Sequence, residues 1–475
     1  MNLSRIVERW GQHTPGHTAL HFQGEDLSYA ELWRRTQVAT RQLAGLGIAK
    51  GDRVAFLGHN HPDMLALLFA AARLGALLVP LNWRLTAHEH KVILADCAPA
   101  VLFFEPEFEQ HAMALPAARR VRLGEALPEK DPLLTGDDND EVLIVYTSGT
   151  TAAPKGAVLT QSALLWNGFN SIHAHDLRQD DHVLSPLPMF HVGGLNNQTL
   201  PALLAGATVT LHKRFEPGLW LHDVAARKPT ISLLVPATMQ AVIGHPDWAA
   251  TDLSSLRMLN TGSMVVPESM IRAFHARNIP VGQIYGATET APLAAVLMAH
   301  DALNKPGSAG KAALHCEVRL VDGEVQVRGP NVMRRYWNNR EATAAAFAED
   351  GWFRTGDLGR WDEDGFLWID GRSKDLIISG GENIHPAELE NVLADCPAIA
   401  ECAVIGIEDP KWGEAACAIV VRKHGASIDE AGVRALFKDR LARYKHPRQI
   451  IFAAALPKNA MGKVQKFELK KLVTG

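Results

Sequence analysis

Short apolar runs alternate with helical stretches through most of the chain. Ser28-Tyr29-Ala30-Glu31 has the spacing of a capping box, and Leu32, Val38 and Leu43 then recur on one helical face until Gly45. Arg53–Leu57 reads as a buried strand, Pro62–Leu74 as a helix and Ala76–Pro80 as another strand. The alternation continues through strand-like runs at Ala100–Phe104, Val183–Pro186, Ala207–Leu211, Ile231–Val235 and Val281–Tyr285. Strands that recur between helices predict an α/β domain with a largely parallel sheet.

Near Cys316 the pattern shortens. Glu317–Val321, Glu324–Arg328 and Phe366–Ile369 read as short strands, joined in places by Asp322-Gly323 and Asp364-Gly365, a pairing that suits antiparallel hairpins. A small β subdomain over about 316–370 is expected to close a large domain of residues 1–370. After residues 371–374 the texture turns to α+β, which predicts a small C-terminal domain over 375–475. There Pro386 opens a helix to about Ala394, with strands at Ala403–Ile407 and Ala415–Val421. Ser427-Ile428-Asp429-Glu430 reads as a second capping box, opening a helix that ends near Tyr444 before Pro447.

Composition narrows the class without naming it. A chain of 475 residues, 47% apolar and 21% charged, has the make-up of an ordinary globular protein. A net charge of −4 with no long basic block gives no reason to expect nucleic acid. The longest apolar stretch, Leu65–Leu81, is broken by Arg73, Gly75 and Pro80, so a helix and a strand explain it better than an integral membrane segment. Arg5, Glu8 and Arg9 fall where a signal peptide needs its apolar core. The five cysteines contain no CxxC pair and read as reduced thiols, so the expected location is cytoplasmic.

The chemistry is carried by Tyr146–Val158, YTSGTTAAPKGAV, between the strand-like Glu141–Val145 and a helical stretch from Gln161. Backbone N–H groups freed by Gly149, with the hydroxyls of Ser148, Thr150 and Thr151, can cradle phosphate oxygens, and Lys155 adds a mobile cation. The order Pro154-Lys155-Gly156 is not that of a Walker P-loop, which needs Gly-Lys-Ser/Thr. A plain flexible loop is the alternative reading.

Six further segments decide between them. They are PLPMFH at Pro186–His191 with Gly193-Gly194, NTGSM at Asn260–Met264, YGATE at Tyr285–Glu289, GWFRTGD at Gly351–Asp357, GRSKDLIISGGENI at Gly371–Ile384 and PKNAMGK at Pro457–Lys463. In this order, with the loop, they resemble the adenylate-forming superfamily of acyl-CoA synthetases, adenylation domains and luciferases. The likeness covers essentially the whole chain and is greatest to fatty acyl-CoA and aryl-CoA ligases. Ala152 is a departure, since that family usually has glycine there.

The resemblance implies an ATP-dependent acid–CoA ligase working through an acyl-adenylate, with ATP and Mg²⁺ as cofactors and CoA as co-substrate. It implies that Thr147–Lys155 holds the β- and γ-phosphates, that Glu289 binds Mg²⁺ and that Thr288 touches the α-phosphate. Asp357 would take the ribose hydroxyls with Arg372 nearby, while Tyr285 and Gly262–Met264, including Ser263, would wall the adenine. Lys463 would bridge carboxylate and α-phosphate. Lys374 matches the hinge about which the C-terminal domain would turn to bring Gly380, Gly381 and Trp412 to CoA. Arg440, Arg443, Lys445 and Arg448 are candidate cations for the CoA phosphate.

The acyl pocket is expected from His191, Gly193, Met239, Gly262, Met264, Gly286, Ala287 and Pro292. These side chains are mostly small or apolar, with no arginine to hold a second carboxylate. They leave open a medium- or long-chain fatty acid and an aromatic or hydroxycinnamic one, with a slight lean to the fatty acid. The histidines, 21 in all, show no metal-ligand spacing; His88 and His90, like His173 and His175, point to different sides of a helix. The rival readings are an adenylation enzyme loading a carrier protein in trans, a luciferase-like oxygenase and a non-catalytic nucleotide sensor. A homodimer is compatible with the sequence.

Overall fold

A computed structural model describes residues 2–147, 154–263, 266–379, 382–410, 412–438, 440–459 and 462–474. The loop residues Ser148, Gly149, Thr150, Thr151 and Ala152, together with Met264, Gly380 and Gly381, lie outside the described residues.

The helix Pro62–Leu74 explains the architecture of the large part of the chain. Apart from Asp63 and Arg73 every residue in it is buried, so it has no solvent face and needs partners all round. It finds them between two sheets. One has seven strands, in the order 335–336, 155–160, 141–147, 77–81, 53–57, 101–104, 120–122, and is parallel from 141–147 onward. The other has nine, in the order 311–312, 295–296, 281–285, 258–262, 231–233, 182–185, 208–211, 18–22, 25–28, parallel except at its two ends. A single core cluster takes Val54 and Leu78 from the first sheet, Val183 and Val209 from the second and Leu65–Ala72 from the helix. Separate clusters cover the outer faces, one around Trp220, Leu259 and Phe274, the other around Leu57, Leu94 and Phe104.

Local sequence accounts for most element ends. The helix Pro62–Leu74 starts with His61 Nδ1 accepting from the Asp63 N–H at 3.1 Å and stops at Gly75 with φ 72°. Ser28 does cap Tyr29–Gly45, accepting from the Glu31 N–H at 3.2 Å, but the Glu31 carboxylate turns to Arg34 and Arg35. Two guanidiniums attract a carboxylate more strongly than one N–H does, and half of the expected box is forgone. The turn Asp322-Gly323 has φ of 50° and 79° and closes the hairpin Glu317–Val321/Glu324–Arg328 as expected.

The expected helix after Ser427 needs correction. Asp429 is the cap, accepting from the Gly432 N–H at 2.8 Å, and the helix is only Glu430–Ala435. A short 3₁₀ turn at Arg443–Lys445 then leads to Pro447. This part of the chain has its own sheet of 377–379, 382–384, 399–409, 413–422 and 449–452, and a core of Ile377, Leu389, Val420 and Phe437.

Histidines desolvated by the fold shape the response to acid. Desolvation holds His90, His175 and His182 down to about 4, from an ordinary value of 6.5. His90 is fixed in a neutral arrangement, bonded to His111 and to the Asn82 carbonyl. Unfolded, the three bind protons below about pH 6.5; folded, they resist until about 4. Stability is therefore complete above 6.5 and falls as the pH drops toward 4. Thermal melts between pH 7 and 4.5 should show that decline, and replacing His175 with Gln should flatten it.

Candidate active site

The carboxyl ends of the two sheets converge, and the chemistry-bearing residues gather there. Asp357 lies on the strand Phe353–Trp361, directly across from Arg372 on Leu367–Arg372. The Arg372 Nε donates to Asp357 Oδ1 at 2.7 Å, and the Tyr285 hydroxyl donates to Oδ2 at 2.8 Å from the end of strand Val281–Tyr285. The Asp357 backbone N–H is taken by Thr355 Oγ1 at 3.0 Å, while that hydroxyl donates to Val325 O at 2.7 Å. Burial, then the Asp357 charge, push the Tyr285 phenol well above its ordinary value, so it stays a donor. Asp357 is 7% exposed and locked from two sides.

Glu289 sits in the 3₁₀ turn Thr288–Thr290, just beyond Tyr285. The Tyr336 hydroxyl donates to Glu289 Oε1 at 2.6 Å, and Met333 N–H donates to Glu289 O at 2.7 Å. Tyr336 belongs to the edge strand that pairs with Lys155–Thr160, so this bond ties one sheet to the other. Lys155 lies with its Nζ 5.4 Å from the Tyr336 ring centroid. Thr147, paired across from Lys155, donates weakly to Lys155 O at 3.4 Å. Nothing in the spacing of the sequence links Tyr336 to Glu289; the aromatic pair Tyr336-Trp337 among polar residues was the one available hint.

Lys463 reaches the same place from the C-terminal part of the chain. Its hairpin is closed by Asn459 N–H to Lys463 O at 2.8 Å, and Gly462 packs toward Ala237 of the large domain. One side of Lys463 meets solvent, and protein crowds the others. That crowding, followed by the Arg372 charge, holds its ammonium below the ordinary lysine range, with Lys374 adding and Asp357 opposing. Lys374, in the turn Ser373–Asp375, is lowered in the same way. Arg372 is thus bonded to Asp357, and the same carboxylate acts through its charge on Lys463 and Lys374.

Arg448 lies over the ring of Trp412 at 5.0 Å, and the next residue, Gly413, pairs with Ser379. Of the cations expected for CoA, Arg440 is bonded to Asp395 at 2.5 Å and Lys445 to Glu388 at 2.6 Å.

The expected acyl residues divide. His191 precedes the short helix Val192–Gly194 without a side-chain cap bond, and burial followed by the charge of Arg84 brings it down to about 3, so it is neutral. Arg84 comes from a different segment, over the rings of Trp83 and Phe190 at 4.8 and 5.9 Å, and was missed for that reason. A side chain built on Gly193 would meet nothing within 4 Å. At Gly262 it would stand 2.5 Å from Ile284 O, and at Gly286 1.6 Å from Pro292 O, so both are sites of close backbone approach. Ser263, with φ 73°, follows Gly262, and Ala287, half-buried, follows Gly286. Met239 is fully buried, in the cluster with Trp220, Leu221 and Phe274.

The wall beyond His191 contains a π-helical turn, Leu195–Thr199, that the sequence reading did not foresee. Pro201 has no N–H to offer the carbonyls of Asn196 and Asn197. Two side chains of the helix Gln161–His175 replace it: Asn167 donates to Asn196 O at 2.5 Å and Ser171 to Asn197 O at 2.6 Å. Asn167 Oδ1 also accepts from the Leu293 N–H at 3.1 Å, which links this wall to the loop after Gly286.

Among the described residues one group, His59, Glu105 and Glu107, could gather round a metal by itself. Lys213 already pairs with both carboxylates there, so the cation's place is taken.

The fold and this cluster define a nucleotide-binding enzyme in which a carboxylate and a glutamate face several cations. The AMP-binding enzyme family matches residues 7–337, and the AMP-binding enzyme C-terminal domain matches 388–463. The chain belongs to the AMP-binding enzyme family and is an AMP-forming acid–thiol ligase. It is 48% identical to the indoleacetate–CoA ligase of Aromatoleum aromaticum, covering 100% of this chain and 98% of that one. To the feruloyl-CoA synthase of an Amycolatopsis species it is 42% identical, over 98% and 97%. To a long-chain-fatty-acid–CoA ligase of Mycobacterium tuberculosis the figure is 37%, over 94% and 93%. The O-succinylbenzoate coenzyme A synthetase of Bacillus subtilis, in complex with ATP and magnesium ion, superposes with a TM-score of 0.89 at 31% identity, covering 99% of each chain.

Replacing Asn167 with Leu leaves the Asn196 carbonyl and the Leu293 N–H buried and unpaired. At about 1–3 kcal/mol for each orphaned group, urea unfolding should show a loss of about 2–6 kcal/mol.

Proposed function

We propose that this ligase joins an aromatic carboxylic acid to coenzyme A in two steps, through an acyl-adenylate. What carries the reading of the first step is the convergence of Lys463, Arg372 and Lys374 on Asp357, beside the Glu289–Tyr336–Lys155 group. A carboxylic acid is already ionised at neutral pH, so its attack on the α-phosphorus of ATP needs no general base. The barrier is the approach of an anion to a polyanion, and cations held in place are the remedy.

The roles then divide by position. Asp357, with both oxygens already oriented by Arg372 and Tyr285, accepts the ribose hydroxyls. Lys155 and the loop beginning at Thr147 hold the terminal phosphates, and Thr288 adjoins the α-phosphate. Lys463 lies between the incoming carboxylate and that phosphate. Glu289, a half-buried carboxylate fixed by one phenol, suits a magnesium ion held by one carboxylate and phosphate oxygens. The ion, when bound, offsets the phosphate charge.

Lys374 is the hinge of this reading. The second step would follow a rotation there that withdraws Lys463 and brings the segment Gly380-Gly381 and Trp412 to the site. Support for an aromatic acid comes from the relatives, where indoleacetate and feruloyl ligases stand at 48% and 42% identity and the fatty-acid ligase at 37%. The residues assigned to the pocket, His191, Gly193, Gly262, Gly286, Ala287 and Pro292, are mostly small, which suits a flat ring. A cytoplasmic setting suits the five unbridged cysteines.

AMP release by the purified protein, with ATP, Mg²⁺ and CoA, should be greatest with arylacetates or cinnamates and at least about tenfold lower with fatty acids of eight to sixteen carbons. Acid-dependent pyrophosphate release that ignores CoA would instead favour a carrier-protein acceptor. Lys463→Ala should lower adenylation by about a hundredfold or more, yet still convert a supplied acyl-adenylate to thioester. Equal loss of both half-reactions would refute the division of labour.

A further inference from the structure

The layer between the helix Gln161–His175 and the nine-stranded sheet holds amides that no protein group satisfies. Both side-chain polar atoms of Asn196 and of Asn260, and Oδ1 of Asn197, are buried without a hydrogen-bond partner. These residues are 1%, 0% and 4% exposed. Each such atom costs about 1–3 kcal/mol if left that way, and an apolar replacement would avoid the loss.

Their placement is regular. Gly193, beside His191, faces open space, and Asn196 and Asn197 follow it by three and four residues, in the π turn. On the opposite wall Gly262 ends its strand, and Asn260, two residues earlier, shares its face of the sheet. The strand neighbour of Asn260 is Leu233, which packs with Ile284 against Ala174 and Leu293, so this face looks toward the helix layer. Each wall therefore has a glycine at its rim and an unpaired amide one step deeper.

We infer that this deep end reads a hydrogen-bonding group on the far side of the acid: the substrate is a ring acid bearing an N–H or O–H away from its carboxylate, such as an indole or a phenol. The inference rests on the pocket assignment and aromatic preference proposed above. An asparagine offers both an acceptor and a donor, so the set can serve either group. A hydrocarbon ring or alkyl end would bury the same amides and leave them unpaired, a penalty that discriminates far more strongly than a change of size.

The test compares an indole-bearing acetic acid with the naphthalene acetic acid of similar size, using the full-length protein, CoA and Mg²⁺-ATP. Wild type should favour the indole acid in kcat/KM by at least about tenfold, and Asn260→Leu should cut that ratio by about tenfold, chiefly through KM. Asn196→Ala provides the same readout if Asn260→Leu does not fold, as judged by thermal melting. Equal use of both ring acids by wild type, the outcome if water alone fills the deep end, would overturn this inference and leave the aromatic reading standing. So would variants that lower both acids in proportion. Turnover of fatty acids in preference to either ring acid would overturn the aromatic reading as well.

Discussion

The hydrogen bond from Tyr336 to Glu289 is the join on which the site depends. Tyr336 is anchored in the edge of one sheet and Glu289 in the turn that ends a strand of the other. Each sheet alone presents a row of strand ends; only their junction makes a crevice in which Lys155 and Glu289 can act on one ligand. The neighbouring bonds serve the same junction. Met333 N–H holds the Glu289 carbonyl, and Asn331 donates to Thr290 O and Leu293 O at 2.6 and 2.9 Å. A displaced turn would move the carboxylate, the end of Tyr285 and the pocket loop together.

Electrostatically the site is built for a guest more anionic than anything it contains. Arg372, Lys374 and Lys463 crowd one carboxylate, and two of the three ammonium or guanidinium groups, those of the lysines, are held below their ordinary range. Asp357 offsets part of that crowding. A triphosphate bound beside these cations would relieve the rest.

Much of this was legible because buried parallel strands are written as uninterrupted apolar runs. Arg53–Leu57 and Val281–Tyr285 fall where their runs do, and Asp322-Gly323 turns as its residue types require. The ring of Asp357, Arg372 and Tyr285 could be anticipated from motif order, although its mutual locking could not. The π turn was illegible for a physical reason. Pro201 signals a break, and the donors that repair it, Asn167 and Ser171, belong to a different helix. The contacts of Met239 with Trp220, Leu221 and Phe274 were illegible too, because one apolar side chain on a helix serves the core or the cavity equally well in sequence. Asp429 displaced Ser427 as a cap because two overlapping caps compete, and the carboxylate one residue before the helix won.

The wholly buried helix Pro62–Leu74 has a consequence for how the molecule comes apart. Its side chains are shared by both large sheets, so neither sheet retains a closed core without it, whereas the C-terminal sheet packs around a core of its own. Cooperativity is thus partitioned unevenly along the chain. The two great sheets are separate hydrogen-bonded networks with one shared core, so they are expected to unfold together, while the C-terminal sheet keeps apolar contacts that close on themselves.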